Sequence, residues 1–338
     1  MTQHQFIDRQ SGQVRSEQLF GDRIIRLLYH PVRERAPELF QALTSARSSS
    51  CLAFFNYDLA LASRVLGNSG FLKECGVDWS ECLEPPEALD TARKLFERKI
   101  RYWDCRPLPA EPEAIVSPAD ARVLVGSFGE TSALFLKEKF FSYEELLGPT
   151  SRPWQQAFRG GDFAIFRLTP DKYHYNHVPV AGRVVDIYQL DGGYHSCNPT
   201  AVVSVATPYS KNRRVVTILD TDVPRGSRVG LVAMIEVVAL MIGEIVQCYS
   251  EQRYDHPRPV EVGMFLRKGQ PKSLYRPGSS TDLLVFQPHR VSFAADLVAN
   301  LHRSDVRSRF SLGFGQPLVE TEIRVRSLLA LPATTSLD

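Results

Sequence analysis

At Arg106-Pro107-Leu108-Pro109 the hydrophobic period of the chain changes. Before that point the segments 19–30, 36–46, 51–66 and 88–103 place apolar residues at roughly i, i+3 and i+4, the spacing that lines one face of a helix. Asp90 and Thr91 stand where the last of these would take its N-cap. After it, short runs rich in β-branched and aromatic residues recur between Gly, Pro and Asp turns, as strands do: 115–127, 132–142, 162–168, 182–190, 213–219, 229–240 and 283–287. Short helices are expected near 143–147 and 293–301. A chain with helices first and strands after reads as α+β. The expected architecture is an N-terminal helical segment, 1–106, packed on a β-rich domain, 107–338.

Composition narrows the class. With 338 residues the chain is long enough for one large core or two modest ones, and 40 basic against 38 acidic residues give a formal charge of +2, no footprint for nucleic acid. Six cysteines lie far apart with no CxxC pair, which argues against a zinc cluster or a disulfide framework. The N-terminus has no apolar signal-like stretch, so a cytoplasmic protein is expected. The most apolar run, 229–246, contains Glu236 and Glu244, whereas a membrane-spanning helix wants about 20 nearly uncharged residues.

Groups with chemical potential gather in four islands of the β-rich part. These are Ser117-Pro118-Ala119-Asp120, the run from Asp171 to Pro179 with His174 and His177, Gly192 to Pro199 with His195 and Asn198, and Arg276 to Asp282 with Ser279 and Ser280. A serine, a histidine and an aspartate are compatible with nucleophilic catalysis, in which imidazole takes the hydroxyl proton and carboxylate fixes its tautomer. Scattered at these distances among eight histidines, they point to it only weakly. The cysteines read as packing residues.

The wording of seven islands, in order across roughly 190 residues, resembles the phosphatidylserine decarboxylase family of pyruvoyl-dependent proenzymes. They are LFERKIRYWDCRPLP (95–109), IVSPADARV (115–123), LKEKFFSYEELLG (136–148), FRLTPDKYHYNHVPVAGRV (166–184), GGYHSCNP (192–199), MIEVVALMIGEI (234–245) and RKGQPKSLYRPGSSTDLLVF (267–286).

The resemblance implies that Asp120, His177 and Ser280 carry maturation, with Asp120 orienting His177 as the base for the Ser280 hydroxyl. That hydroxyl would attack the preceding carbonyl, and the chain would part between Ser279 and Ser280 into a long and a short chain that stay associated through one sheet. Ser280 would become a covalent pyruvoyl group, an electron sink needing neither PLP nor metal. A register shorter by one residue would make Ser279 the nucleophile instead. His174 would contact substrate and handle its proton, and His195 and Asn198 would line the substrate. The implied substrate is phosphatidylserine, or another amine-bearing acid. Arg23, Arg26, Arg33 and Arg35 on the first helices would meet lipid phosphates in peripheral membrane contact. Pairing into a homodimer stays open.

Some positions depart from the family's wording. Ser279 replaces a glycine, Val238 and Glu244 replace a glycine and a serine, and Pro271, Lys272 and Ser273 replace Glu-x-Gly. A soluble amino-acid decarboxylase, an uncleaved Ser-His-Asp hydrolase and a non-catalytic descendant therefore stand as alternatives.

Overall fold

The computed structural model describes residues 3–17, 19, 38, 76–129, 141–205, 208–239, 244–277 and 280–333, apart from the side chain of Tyr143. The expected helices 19–30, 36–46 and 51–66 with their arginines, most of the strand expected at 132–142, and Ser279 all lie outside the described residues.

Sixteen strands appear among the described residues: β1 (Gln5–Asp8), β2 (Val14–Ser16), β3 (Ile115–Val116), β4 (Ala121–Ser127), β5 (Asp162–Leu168), β6 (Tyr175–His177), β7 (Gly182–Leu190), β8 (Arg214–Asp220), β9 (Leu231–Val238), β10 (Ile245–Gln247), β11 (Phe265–Leu266), β12 (Pro271–Tyr275), β13 (Ser280–Phe286), β14 (Val291–Phe293), β15 (Thr321–Ile323) and β16 (Leu328–Pro332). Ten form one sheet in the order β11-β7-β8-β9-β13-β5-β4-β15-β1-β2, and two three-stranded sheets, β10-β12-β6 and β14-β16-β3, accompany it. The fold is α+β; β3, β4, β5, β7, β8, β9 and β13 fall on segments whose β-branched and aromatic richness marks them as strands, whereas β1, β2, β6, β10, β11, β12, β14, β15 and β16 lie outside those segments.

The large sheet is covered on both faces. Along β13, Leu284 and Phe286 join one apolar cluster with Phe166, Leu168 and Met234, while Leu283 and Val285 join another with Ile165, Ile235 and Val237. Successive side chains of a strand point to opposite faces, so the near-continuous apolar runs are what a doubly covered sheet requires. Tyr275, Val178 and Tyr249 belong to the first cluster, which places the β10-β12-β6 sheet over that face.

Two expectations about the N-terminal segment need correction. The chain begins with the antiparallel pair β1 and β2, and β1 runs parallel to β15, so the first residues are part of the large sheet rather than of a helical segment. The helix expected over 88–103 is broken into Ala92–Phe96 and Tyr102–Cys105. Thr91 does cap the first piece, accepting from the Lys94 amide, but Ile100 leaves the helix to form a β-bridge with Cys82. The helices expected near 143–147 and 293–301 form as Tyr143–Leu147 and Ala295–Leu301.

Candidate active site

Ser280 opens β13, paired with Leu168 of β5 on one side and Val238 of β9 on the other. Its residue is fully buried, and its Oγ has no hydrogen-bond partner. Because Ser280, Asp282 and Leu284 alternate onto one face, the hydroxyl faces the side where the small β10-β12-β6 sheet lies. The carbonyl of Ser280 accepts from the Cys197 thiol at 3.7 Å, which brings in the 192–199 island.

The backbone ties two further islands, 115–123 and 166–184, to the 267–286 island that holds Ser280. The His177 amide donates to the Pro118 carbonyl at 2.7 Å, Val178 donates to Gln270, and Tyr275 donates to the His174 carbonyl at 3.1 Å. The segment 95–109 supplies aromatic walls: Phe96 stacks on His174 with centroids 3.4 Å apart, and Tyr102 meets His177 edge-on at 4.7 Å.

Both histidines are buried and neutral. Burial pushes each down to about 3, with nearby Arg98 adding to the effect at His174. His174 Nδ1 lies 2.8 Å from the Lys172 carbonyl, which can only accept, so Nδ1 carries the proton. Its Nε2 keeps a lone pair, buried and unpartnered. His177 is saturated: Nδ1 donates to the Gly269 carbonyl at 2.9 Å, and Nε2 accepts from the Tyr173 hydroxyl at 2.9 Å.

The expected pairing of Asp120 with His177 is not what the structure shows. The Asp120 carboxylate takes two bonds from Arg106, at 3.1 and 2.8 Å, and one from the Val325 amide at 2.7 Å. A guanidinium fork matches a carboxylate in charge and shape, and a neutral imidazole does not compete with it. Burial by itself would raise the Asp120 carboxyl, yet Arg106 outweighs it and holds the group below its ordinary value. Arg106 also binds both oxygens of Glu81, and a cavity of about 530 Å³ opens beside these three residues, lined also by Tyr173 and Lys172. Asp120 therefore reaches His177 through the chain, since Pro118, two residues earlier, holds the His177 amide.

The remaining candidates have structural duties. Asn198 caps the helix Pro199–Ser204, its Oδ1 accepting from Thr200 at 2.9 Å. The His195 backbone is locked to the Asn212 side chain by two bonds of 2.8 Å.

A buried polar cluster beside Ser280 went unread in the sequence. A register shift within the β12–β6 pairing falls at Lys272, whose ammonium meets Glu236 at 2.6 Å, with both side chains fully buried. Asn176, Gln247 and Ser273 also bond Glu236. Next to it Asp282 accepts from the Tyr275 hydroxyl at 2.7 Å. Burial first and the neighbouring Glu236 second push the Asp282 carboxyl well above its ordinary value. The one signal available was the i, i+2 spacing of Ser280 and Asp282 in a strand.

Comparison with known proteins gives one consistent result. A family model described as phosphatidylserine decarboxylase matches residues 92–310. The chain is 30% identical over 275 residues to the phosphatidylserine decarboxylase proenzyme of Bordetella petrii, covering 78% of this chain and 85% of that one. The proenzyme of Fusobacterium nucleatum is 26% identical over 311 residues, covering 91% of this chain and 95% of that one. The phosphatidylserine decarboxylase proenzyme 3 of Schizosaccharomyces pombe is 29% identical over 298 residues, of which this chain spans only 29% of the length. Among the described residues no helix is long and apolar enough to cross a membrane.

Proposed function

Because the chain belongs to the phosphatidylserine decarboxylase family of carboxy-lyases, we propose that it cuts itself between Ser279 and Ser280 and then converts phosphatidylserine to phosphatidylethanolamine and carbon dioxide. The observation that carries this reading is the Ser280 hydroxyl, buried without a partner at the first residue of a central strand. A buried polar atom left unsatisfied is unfavourable, by about 1–3 kcal/mol, and calls for an explanation, of which a catalytic role is one.

In the first step the Ser280 Oγ would add to the Ser279 carbonyl carbon as the peptide C–N bond breaks, an imidazole carrying the hydroxyl proton to the freed amine. β-Elimination of the resulting ester would release the Ser279 carboxylate, and hydrolysis of the unsaturated residue left behind would give ammonia and a pyruvoyl end. The site fits that group, which would take the place of a serine whose buried hydroxyl has no partner, between Leu168 and Val238. When present, the pyruvoyl ketone supplies an electron sink for the pair left on the substrate as carbon dioxide departs.

The chain's own residues divide the proton work. His177 serves maturation by exchanging its bond to Tyr173 for one to Ser280, while the Gly269 carbonyl keeps its Nδ1 protonated. His174, with Nε2 open and its ring fixed by Phe96, handles the substrate proton. Asp120 and Arg106 brace the segment between β3 and β4 whose Pro118 carbonyl holds the His177 amide. His195 and Asn198 shape the loop that carries Cys197 to the Ser280 carbonyl.

Intact-mass analysis of purified protein tests the first half: a short chain of residues 280–338 with a blocked N-terminus is expected, and Ser280→Ala should leave one uncut chain. Cutting that persists in Ser280→Ala and stops in Ser279→Ala would move the nucleophile by one residue. His177→Ala should accumulate precursor, whereas His174→Ala should be cut yet lose roughly 10²–10⁴-fold in decarboxylation, the usual worth of a general acid or base. Carbon dioxide released from a free amino acid but not from phosphatidylserine vesicles would transfer the chemistry to a soluble substrate.

A further inference from the structure

In the sequence Tyr275 and Asp282 flank the Ser279–Ser280 bond. Tyr275 is the last residue of β12, and Asp282 is the third of β13. The Tyr275 hydroxyl lies 2.7 Å from Asp282 Oδ1 and 3.0 Å from the Thr281 carbonyl, and it accepts from the Val237 amide at 3.1 Å. Both residues are fully buried. The near end of the intervening segment is anchored as well, with Tyr275 donating to the His174 carbonyl and Arg276 to that of Glu244.

We propose that Tyr275 and Asp282 form a clamp across the scissile peptide, positioning Ser280 for self-cleavage. The proposal rests on the self-cleavage reading above. The hydrogen bond closes a small ring around the segment 276–281. Addition needs Oγ about 3–3.5 Å from the Ser279 carbonyl carbon, and holding the two flanking residues together raises the fraction of time spent near that geometry. Asp282 shares the face of Ser280, so its bond to Tyr275 fixes the pleat from which Oγ projects. Once the peptide is cut the same bond joins the long chain to the short one beside the new terminus.

The test follows precursor conversion with time on denaturing gels for wild type, Tyr275→Phe, Asp282→Val and Asp282→Asn. Tyr275→Phe and Asp282→Val are expected to mature at least tenfold more slowly. Asp282→Asn keeps an oxygen that accepts from Tyr275 and is expected to stay within about threefold of wild type, a rescue that loss of packing alone would not give. Each change is also made in the uncut Ser280→Ala background, where melting temperatures report folding apart from cutting. Equal rates in all variants, or Asp282→Asn as slow as Asp282→Val, would overturn the clamp alone. If Tyr275→Phe fails to fold, the Asp282 pair still decides. A wild-type chain that stays whole would overturn self-cleavage and the clamp together.

Discussion

At the residue scale the two histidines make a prediction about acid. Burial depresses both to about 3, whereas an unfolded imidazole titrates near 6.5. The unfolded chain therefore binds the extra protons first, so their contribution to stability is complete above about pH 6.5 and lost as pH falls toward 3. Two such groups give a slope of up to about 2.7 kcal/mol per pH unit through that window. Carboxylates come later: burial alone would raise Asp171, but Lys172 holds it at about 2, so its contribution is present above about pH 4 and lost below. Denaturant unfolding of the uncut Ser280→Ala protein should show a lower midpoint at pH 5 than at pH 7, and a shallower decline when His174 is replaced by Phe. A flat profile between those pH values would show that the rings are not held neutral.

The elements carry the lesson of what was legible. The long strands came from runs of β-branched and aromatic residues between turns, and Thr91 could be read as a cap because capping is local. The hairpin β1–β2 is only four residues and three, too short to show a period, and what holds it is remote. Glu17, just after β2, meets Arg167 of β5 at 2.7 Å and Arg122 of β4 at 2.6 Å, and Arg167 also meets Glu320 at 2.5 Å beside His4. Arg106, only 14 residues before Asp120, was hidden too: the motif was readable, but which side chain answers a carboxylate depends on a contact that spacing does not encode. Lys272 was marked only as a departure, while the structure gives it Glu236, 36 residues earlier, as a partner. Removing one member of a buried pair strands the other charge, at a typical cost of 3–5 kcal/mol. Lys272→Met should therefore destabilise by about that amount in denaturant titrations, and Lys272→Met with Glu236→Gln should recover much of it. Additive losses in the double variant would mean the pair is not coupled.

For the molecule as a whole, the topology decides what a cut between Ser279 and Ser280 does to it. The short chain would contribute β13, β14, β15 and β16. Of these, β13 lies inside the large sheet with seven paired positions against β9 and seven against β5, both from the long chain, and β15 sits between β4 and β1. Leu283, Leu284, Val285 and Phe286 are fully buried, and each such side chain is worth about 1.5–3 kcal/mol when taken out of water. Neither strand is at an edge, and β13 cannot leave without opening the sheet through its middle, so cutting the backbone removes a covalent link but no core contact. The matured protein should run as one particle in gel filtration at neutral pH even after extensive dilution. It should resolve into two chains only in denaturant, with the same unfolding transition read by fluorescence and by chain separation. Release of the short chain from folded protein without denaturant would show that β13 is not the inner strand described here, and would remove the structural basis for a stable two-chain enzyme.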